Sequence, residues 1–201
     1  MTKGLITDGV IPQVEIAAQT LSLHAIPAEH RTRFFNRGEL DTLAYLLKGK
    51  KRILEIGCQN GRTAKAILSN DDGIELYVGV DVPPGTPLAC GVQQRETPAL
   101  AGQLAFDDPR FFCIVSKDGS ASAHRFLPEF DAVFIDGDHS HAAVLRDHAL
   151  AESLVKKGGV IIHHDYHSLG TVGVREALRD LHNAGVPLKH VAGTWLVYCE
   201  V

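Results

Sequence analysis

The 201-residue chain suits one domain, large enough to bury a full core without staples. A formal net charge of -4, with 22% charged and 45% hydrophobic residues, fits a soluble globular protein and argues against a polyanion-binding surface. No Lys/Arg run marks a nucleic-acid patch, no basic-then-apolar leader suggests a signal peptide, and no apolar run approaches the roughly 20 residues of a membrane span. Cys58, Cys90, Cys113 and Cys199 show no metal-type spacing. Cys113 and Cys199 fall in apolar strand patterns and read as small core residues, with a reduced, cytoplasmic setting as the default.

Residues 1–49 are expected to form an N-terminal helical extension or lid ahead of a main domain at 50–201. Leu40, Leu43, Ala44, Leu46 and Leu47 fit one helical face, with Asn36 as a candidate cap. Phe34 and Phe35 belong to an earlier helical segment that either lies over the ligand mouth or serves packing alone.

From about residue 50 the pattern alternates. Strands are predicted at Arg52–Ile56, Glu75–Val80, Phe111–Val115, Ala132–Ile135 and Val160–Ile162, and helices near Thr63–Leu68, His141–Val155 and Val174–His182. This rhythm predicts a doubly wound, Rossmann-like α/β fold with a mostly parallel sheet and right-handed crossovers. Gly158-Gly159 reads as the stop of the helix before the Val160 strand. Leu188–Ala192 and Trp195–Glu200, joined by Gly193-Thr194, predict a terminal antiparallel hairpin.

The most informative stretch is Ile53-Leu54-Glu55-Ile56-Gly57-Cys58-Gln59-Asn60-Gly61-Arg62-Thr63. An apolar strand delivers an acid, then a glycine turn, then a glycine opening a helix whose N-terminal amides face the turn. Gly57, Asn60 and Gly61 are candidate ligand contacts. Glu55 would repel a pyrophosphate but suits a cationic amino group, and Gln59 stands where a dinucleotide fingerprint needs its middle glycine. An ordinary strand-to-helix turn is the plainer alternative. Asp81 ends the second strand, where an acid can accept from ribose hydroxyls or simply face solvent. The fourth and fifth strands end in Asp136-Gly137-Asp138-His139 and His163-His164-Asp165, part of a chain with eleven histidines. Ionisable groups so placed after buried strands are costly unless a ligand mouth lies beside them.

The Glu55–Thr63 motif, E-x-G-x-x-x-G-x-[ST], together with the element order and terminal hairpin, resembles the class I S-adenosylmethionine-dependent methyltransferases over roughly Lys50 to Val201. It is closest to the small O-methyltransferases similar to catechol O-methyltransferase. That resemblance implies seven strands in the order 3-2-1-4-5-7-6, the last antiparallel, with the cofactor across the carboxyl ends of the first strands. It implies cofactor contacts from Glu55, Gly57, Asn60, Gly61 and Asp81, and an adenine neighbour in Asp118 or Ser120, although either could be a plain helix cap.

In such relatives the acid matching Asp136 binds a divalent metal, and a lysine three residues on deprotonates the acceptor. His139 stands at the lysine's position. A histidine titrates near neutral pH and can serve as general base directly, or can make a structural or substrate contact. Asp165 matches a second metal ligand, while His164 and Tyr166 depart from the relatives' acid and asparagine. A site of Asp136, His164 and Asp165 would take Mg²⁺ less readily than Mn²⁺, Fe²⁺ or Zn²⁺, and a metal-free site with Asp165 orienting His139 is the other possibility.

The reading is a methyltransferase that moves the methyl of S-adenosylmethionine onto a small-molecule hydroxyl, with or without a divalent cation such as Mg²⁺ or Mn²⁺. The expected partner is the acceptor alone, without nucleic acid or membrane, and a homodimer is compatible with the chain. An N-acceptor, a non-catalytic adenosyl-binding module, and a metal-dependent hydrolase or oxygenase on the His/Asp cluster are the alternatives.

Overall fold

A computed structural model describes residues 10–31, 37–91, 100–119, 129–167 and 173–201. The candidate cap Asn36, the Phe34-Phe35 pair and the adenine candidate Ser120 lie outside them.

The strands are β1 (Gln13–Val14), β2 (Arg52–Ile56), β3 (Leu76–Asp81), β4 (Phe111–Val115), β5 (Phe130–Ile135), β6 (Val155–His163), β7 (Lys189–Val191) and β8 (Val197–Glu200). The helices are α1 (Ala28–Arg31), α2 (Arg37–Leu47), α3 (Arg62–Leu68), α4 (His141–Leu154) and α5 (Val174–Asn183). One eight-stranded sheet runs β1-β7-β8-β6-β5-β2-β3-β4. Counted from the Arg52 strand, this is the expected order with one strand added, because the two-residue β1 pairs in parallel with the outer edge of β7. Two backbone bonds hold β1 there: His190 N–H donates to the Pro12 carbonyl at 2.8 Å and Ala192 N–H to that of Val14 at 2.9 Å. The β8 strand runs antiparallel to both β6 and β7.

Strand alternation sends side chains to two cores. Leu54, Ile56, Val133, Ile135 and Ile161 pack toward Ala151 of α4 and Leu178 of α5. Ile53, Tyr77, Phe134 and Ile162 pack on the opposite face with Leu43 and Leu47 of α2 and Ile67 of α3. Burial on both faces is why these strands read as near-continuous apolar runs.

The register fixes what emerges at the sheet's carboxyl edge. Ile56 lies beside Val80 and Ile135, and Ile135 lies beside His163. Gly57, Asp81, Asp136 and His164 consequently leave the sheet side by side.

Gly158 and Gly159 do not stop a helix. The α4 helix ends at Leu154, Val155 is already extended, and the glycines lie within β6 beside a register shift against β5. There Gly158, at φ 79, donates its N–H to the Val201 carbonyl, and Val201 N–H returns to Gly159. The glycine signal marked a bulge instead of a C-cap. The terminal turn is also longer than two residues, since Trp195 and Leu196 lie in it instead of opening β8. Among the described residues no helix is long and apolar enough to cross a membrane.

Candidate active site

The loop from β2 to α3 needs its two glycines for different neighbours. At Gly57, φ is 90° and an added Cβ would lie 2.2 Å from the Asp136 carbonyl oxygen. At Gly61, φ is 80° and a Cβ would lie 2.7 Å from the Gly102 carbonyl oxygen. The first glycine lets the β5 loop pass close by, and the second seats α3 against the segment before Phe111. Between them Gln59 takes φ 45°. Its amide donates to Asp81 Oδ2 at 2.5 Å while the Val82 amide donates to Oδ1 at 2.7 Å. Asp81 is thus fixed by two backbone donors, and each of its oxygens retains a lone pair for a further one.

Glu55 is 1% exposed yet lines the cavity at this edge. Tyr77 Oη donates to its Oε2 at 3.0 Å. Burial first, and then the Asp136 charge, push this carboxyl well above the ordinary range. Asp81 is raised too, by burial, with its two amide donors working in the other direction.

The cavity has a volume of about 950 Å³ and runs along the carboxyl edge of β2, β3, β5 and β6. Gly57, Asn60 and Asp81 line it beside the first loop, and Lys117, Asp118 and Gly119 come from the turn after β4. Asn60 is buried, with its side-chain oxygen 3.3 Å from the Arg62 amide. Asp118 is exposed at the cavity's edge.

Beyond Asp136 the cavity walls carry a chain of charges. His139 Nδ1 lies 3.2 Å from Asp165 Oδ2, and its Nε2 lies 3.7 Å from Asp136 Oδ1. His164 Nδ1 is 3.1 Å from the same Asp136 oxygen, and its Nε2 is 3.3 Å from Glu39 Oε2. Asp165 holds φ 61°, a left-handed conformation that aspartate tolerates better than most residues. The protonation pattern follows from these contacts. Burial works to raise Asp136, but the His164 and His139 imidazoles outweigh it and hold the carboxyl below its usual range. Burial works to lower both imidazoles, and their carboxylate partners outweigh it. Asp136 and Asp165 raise His139, while Asp136 and Glu39 raise His164 well above its ordinary value. Asp165 is raised, by burial and by Asp136.

Asp136, His139 and Asp165 each offer a donor atom within 4.8 Å of the others, a group able to hold a cation. His164 lies beside this group, but both of its ring nitrogens already face carboxylates. Asp138, three residues before the first residue of α4, accepts amides from Ala89 at 2.6 Å and Ser140 at 2.8 Å and so ties the loop after β3 to the start of α4.

Three lining groups escape the strand-end pattern. Glu39 reaches in from α2, Trp195 from the terminal turn, and Leu40 and Leu43 of α2 add apolar lining. The Trp195 amide donates to Glu39 Oε1, and the indole lies 4.3 Å from the His167 ring, centroid to centroid. The sequence shows Glu39 only as an acid four residues before Leu43 on an otherwise apolar stripe, which does not tell where that stripe docks.

Comparison with known proteins bears on the family and the fold. Residues 54–166, more than half of the chain, match the family model described as a methyltransferase domain. No curated protein matches the chain in sequence. Among solved structures, the S-adenosylhomocysteine-bound methyltransferase PaMTH1 of Podospora anserina is 20% identical with a TM-score of 0.60, over 87% of this chain and 88% of that one. The O-methyltransferase of Bacillus cereus, in complex with the same compound, is 15% identical with a TM-score of 0.58, over 88% and 84%. TomG of Streptomyces achromogenes, an O-methyltransferase of tomaymycin synthesis solved with S-adenosylmethionine, is 13% identical with a TM-score of 0.57, over 88% and 87%. At these identities the likeness is one of fold.

Proposed function

Because the chain belongs to the methyltransferase-domain family, we propose that it transfers the methyl of S-adenosylmethionine to a hydroxyl of a small-molecule acceptor. The observation that carries this reading is a single cavity with two chemically different ends. Glu55 and Asp81 supply carboxylates at one end; Asp136, His139 and Asp165 supply an acid–base group at the other.

The residues at the first end fit the cofactor. A buried carboxyl displaced upward by desolvation regains its charge when an ammonium comes to rest against it, which suits Glu55 to the amino-acid portion. Asp81 has lone pairs left for ribose hydroxyls, Gly57 and Asn60 line the same end of the cavity, and Gly61 serves it indirectly by seating α3 against Gly102. Asp118 borders the place for the base, and Ser120 follows two residues later in the sequence. When bound, S-adenosylmethionine supplies an electrophilic methyl on a sulfonium.

The chain must then remove the acceptor's proton. His139 Nδ1 faces Asp165, which favours the proton on that nitrogen and leaves Nε2 to accept. The acceptor O–H gives its proton to Nε2, and the imidazolium is stabilised between Asp136 and Asp165. The chain's part is positioning and proton removal, in a reduced, cytoplasmic setting without nucleic acid or membrane. A homodimer is compatible with a site whose named residues all come from one chain.

A second reading rests on the donor group Asp136, His139 and Asp165. These would hold a divalent cation, with Mn²⁺ favoured over Mg²⁺ by the imidazole, and the cation would lower the acceptor's pKa. His139 would then be a ligand and not the base. His164, flanked by Glu39 and Asp136, would stand outside this set instead of within it.

Methyl transfer to a panel of hydroxyl-bearing acceptors tests both readings. With His139 as base, His139→Ala should lower kcat roughly 10²–10⁴-fold and leave S-adenosylhomocysteine affinity intact. Activity should survive exhaustive chelation, and His139→Lys should recover part of it at higher pH. Loss on chelation with return on Mn²⁺ or Mg²⁺ would favour the cation. Wild-type turnover by the alanine variant would remove His139 from either role.

A further inference from the structure

Cys58 and Cys113, which nothing in the sequence spacing links, meet across β3. Their Sγ atoms are 3.8 Å apart. Gly79 makes the meeting possible: a Cβ there would lie 2.8 Å from Cys58 Sγ. Cys58 is buried and follows Gly57 in the cofactor loop, whereas Cys113 on the edge strand β4 is only partly buried. We propose that this thiol pair is an oxidation site, and that a peroxide converts it to a disulfide that loosens the adenosyl-ligand pocket.

Access and reactivity divide between the two sulfurs. The hydrogen bond with Cys58 holds the Cys113 thiol below its ordinary pKa although burial opposes it, and the same contact with burial raises Cys58. The partly exposed Cys113 is the one to ionise and react first. Its thiolate attacks a peroxide oxygen, the O–O bond breaks, and a sulfenic acid forms while the departing hydroxide leaves as water with the thiol's proton. The Cys58 sulfur then attacks the sulfenic sulfur. The S–S bond forms, the S–O bond breaks, and a second water carries off the Cys58 proton. Two thiols are oxidised and one peroxide is reduced to two waters.

Closing the pair shortens 3.8 Å to about 2.05 Å. Cys113 sits in the middle of a strand registered against five residues of β3, from Tyr77 to Asp81. The Cys58 side is a turn, tied through the Gly57 and Cys58 amides to the Val80 carbonyl and through the Gly61 amide to the Cys58 carbonyl, so a displacement of Cys58 is passed to its neighbours. On one side of it Gly57 has no room against Asp136, and on the other the Gln59 amide is bonded to Asp81. Movement of Cys58 therefore disturbs the aspartate assigned to ribose.

The effect on binding rests on the cofactor reading above, whereas formation of the disulfide does not. The test treats the reduced full chain with stoichiometric hydrogen peroxide, maps disulfide-linked peptides, and titrates S-adenosylhomocysteine before and after. A Cys58–Cys113 linked peptide, affinity weakened at least tenfold, and recovery with dithiothreitol are expected. Cys113→Ala should bind as the reduced wild type does and keep its affinity after peroxide. Absence of the linked peptide, unchanged affinity of the linked protein, or equal loss in oxidised Cys113→Ala would overturn the proposal. A reduced wild type that does not bind S-adenosylhomocysteine, yet forms the linked peptide, would instead refute the cofactor reading.

Discussion

Glu55 is a carboxyl buried to 1% exposure with Tyr77 Oη as a hydrogen-bonded neighbour at 3.0 Å. Tyr77→Phe removes that donor and no packing, so it should cost about 1–3 kcal/mol in urea denaturation. An unchanged midpoint would show that Glu55 finds its satisfaction elsewhere. A second buried group titrates in the opposite sense. Burial, and the neighbouring His148, hold His163 well below its ordinary pKa. The folded protein keeps this ring neutral while the unfolded chain takes a proton. Its contribution is therefore full above about pH 6.5 and is lost as pH falls toward the depressed folded value. His163→Gln, which does not titrate and can still meet His148, should flatten the fall in Tm between about pH 7 and pH 5. Parallel curves for the two proteins would exclude His163 as the source. His139 is displaced upward instead. As a base it must be neutral, so activity should rise with pH through an apparent pKa above about 6.5. A profile flat through that region would contradict its role. That Glu55, Asp81, Asp136 and His139 gather at one edge was legible because each lies near or just past the end of a strand whose apolar run is plain in the sequence. Glu39 was not, because it reaches the same cavity from a helix whose docking onto the sheet no local pattern records.

The glycines show how far an element can be read locally. Gly49 and Gly57 both hold positive φ, at 76° and 90°. A Cβ at Gly49 meets nothing within 4 Å, whereas at Gly57 it would strike the Asp136 carbonyl at 2.2 Å. Gly49→Ala should therefore cost only the backbone term, about 1–2 kcal/mol. Gly57→Ala should exceed about 4 kcal/mol or prevent folding. Similar denaturation midpoints would mean that the β2 loop can move away from Asp136. The strand-loop-helix signature at Glu55–Thr63 was legible because positive φ and close approach both demand glycine there. The Gly158-Gly159 pair misled for the same reason, since a bulge with φ 79° at its first glycine satisfies the same residue preference as a helix end. The β1 strand was invisible because two residues carry no periodicity, and it exists through its backbone bonds to the β7 edge.

At the scale of the molecule, parallel strands in register put the ends of β2, β3, β5 and β6 on one edge, and the chemistry collects there. The mostly parallel character of the main sheet followed from the strand-helix rhythm, and its strand order from the family resemblance alone. The lining of the cavity by α2 and the terminal turn depends on tertiary packing and did not. Through Glu39, the α2 helix meets the Trp195 amide and His164. Central to the account is an adenosyl cofactor held by Glu55 and Asp81 at the first end of this cavity. Titration calorimetry of the full chain with S-adenosylmethionine, S-adenosylhomocysteine and NAD tests it most directly. Both adenosyl compounds should bind more tightly than NAD, and Asp81→Ala should weaken them by about 1–3 kcal/mol, on the order of ten- to a hundredfold. NAD binding tighter than both, or an Asp81→Ala variant with unchanged affinity, would contradict it.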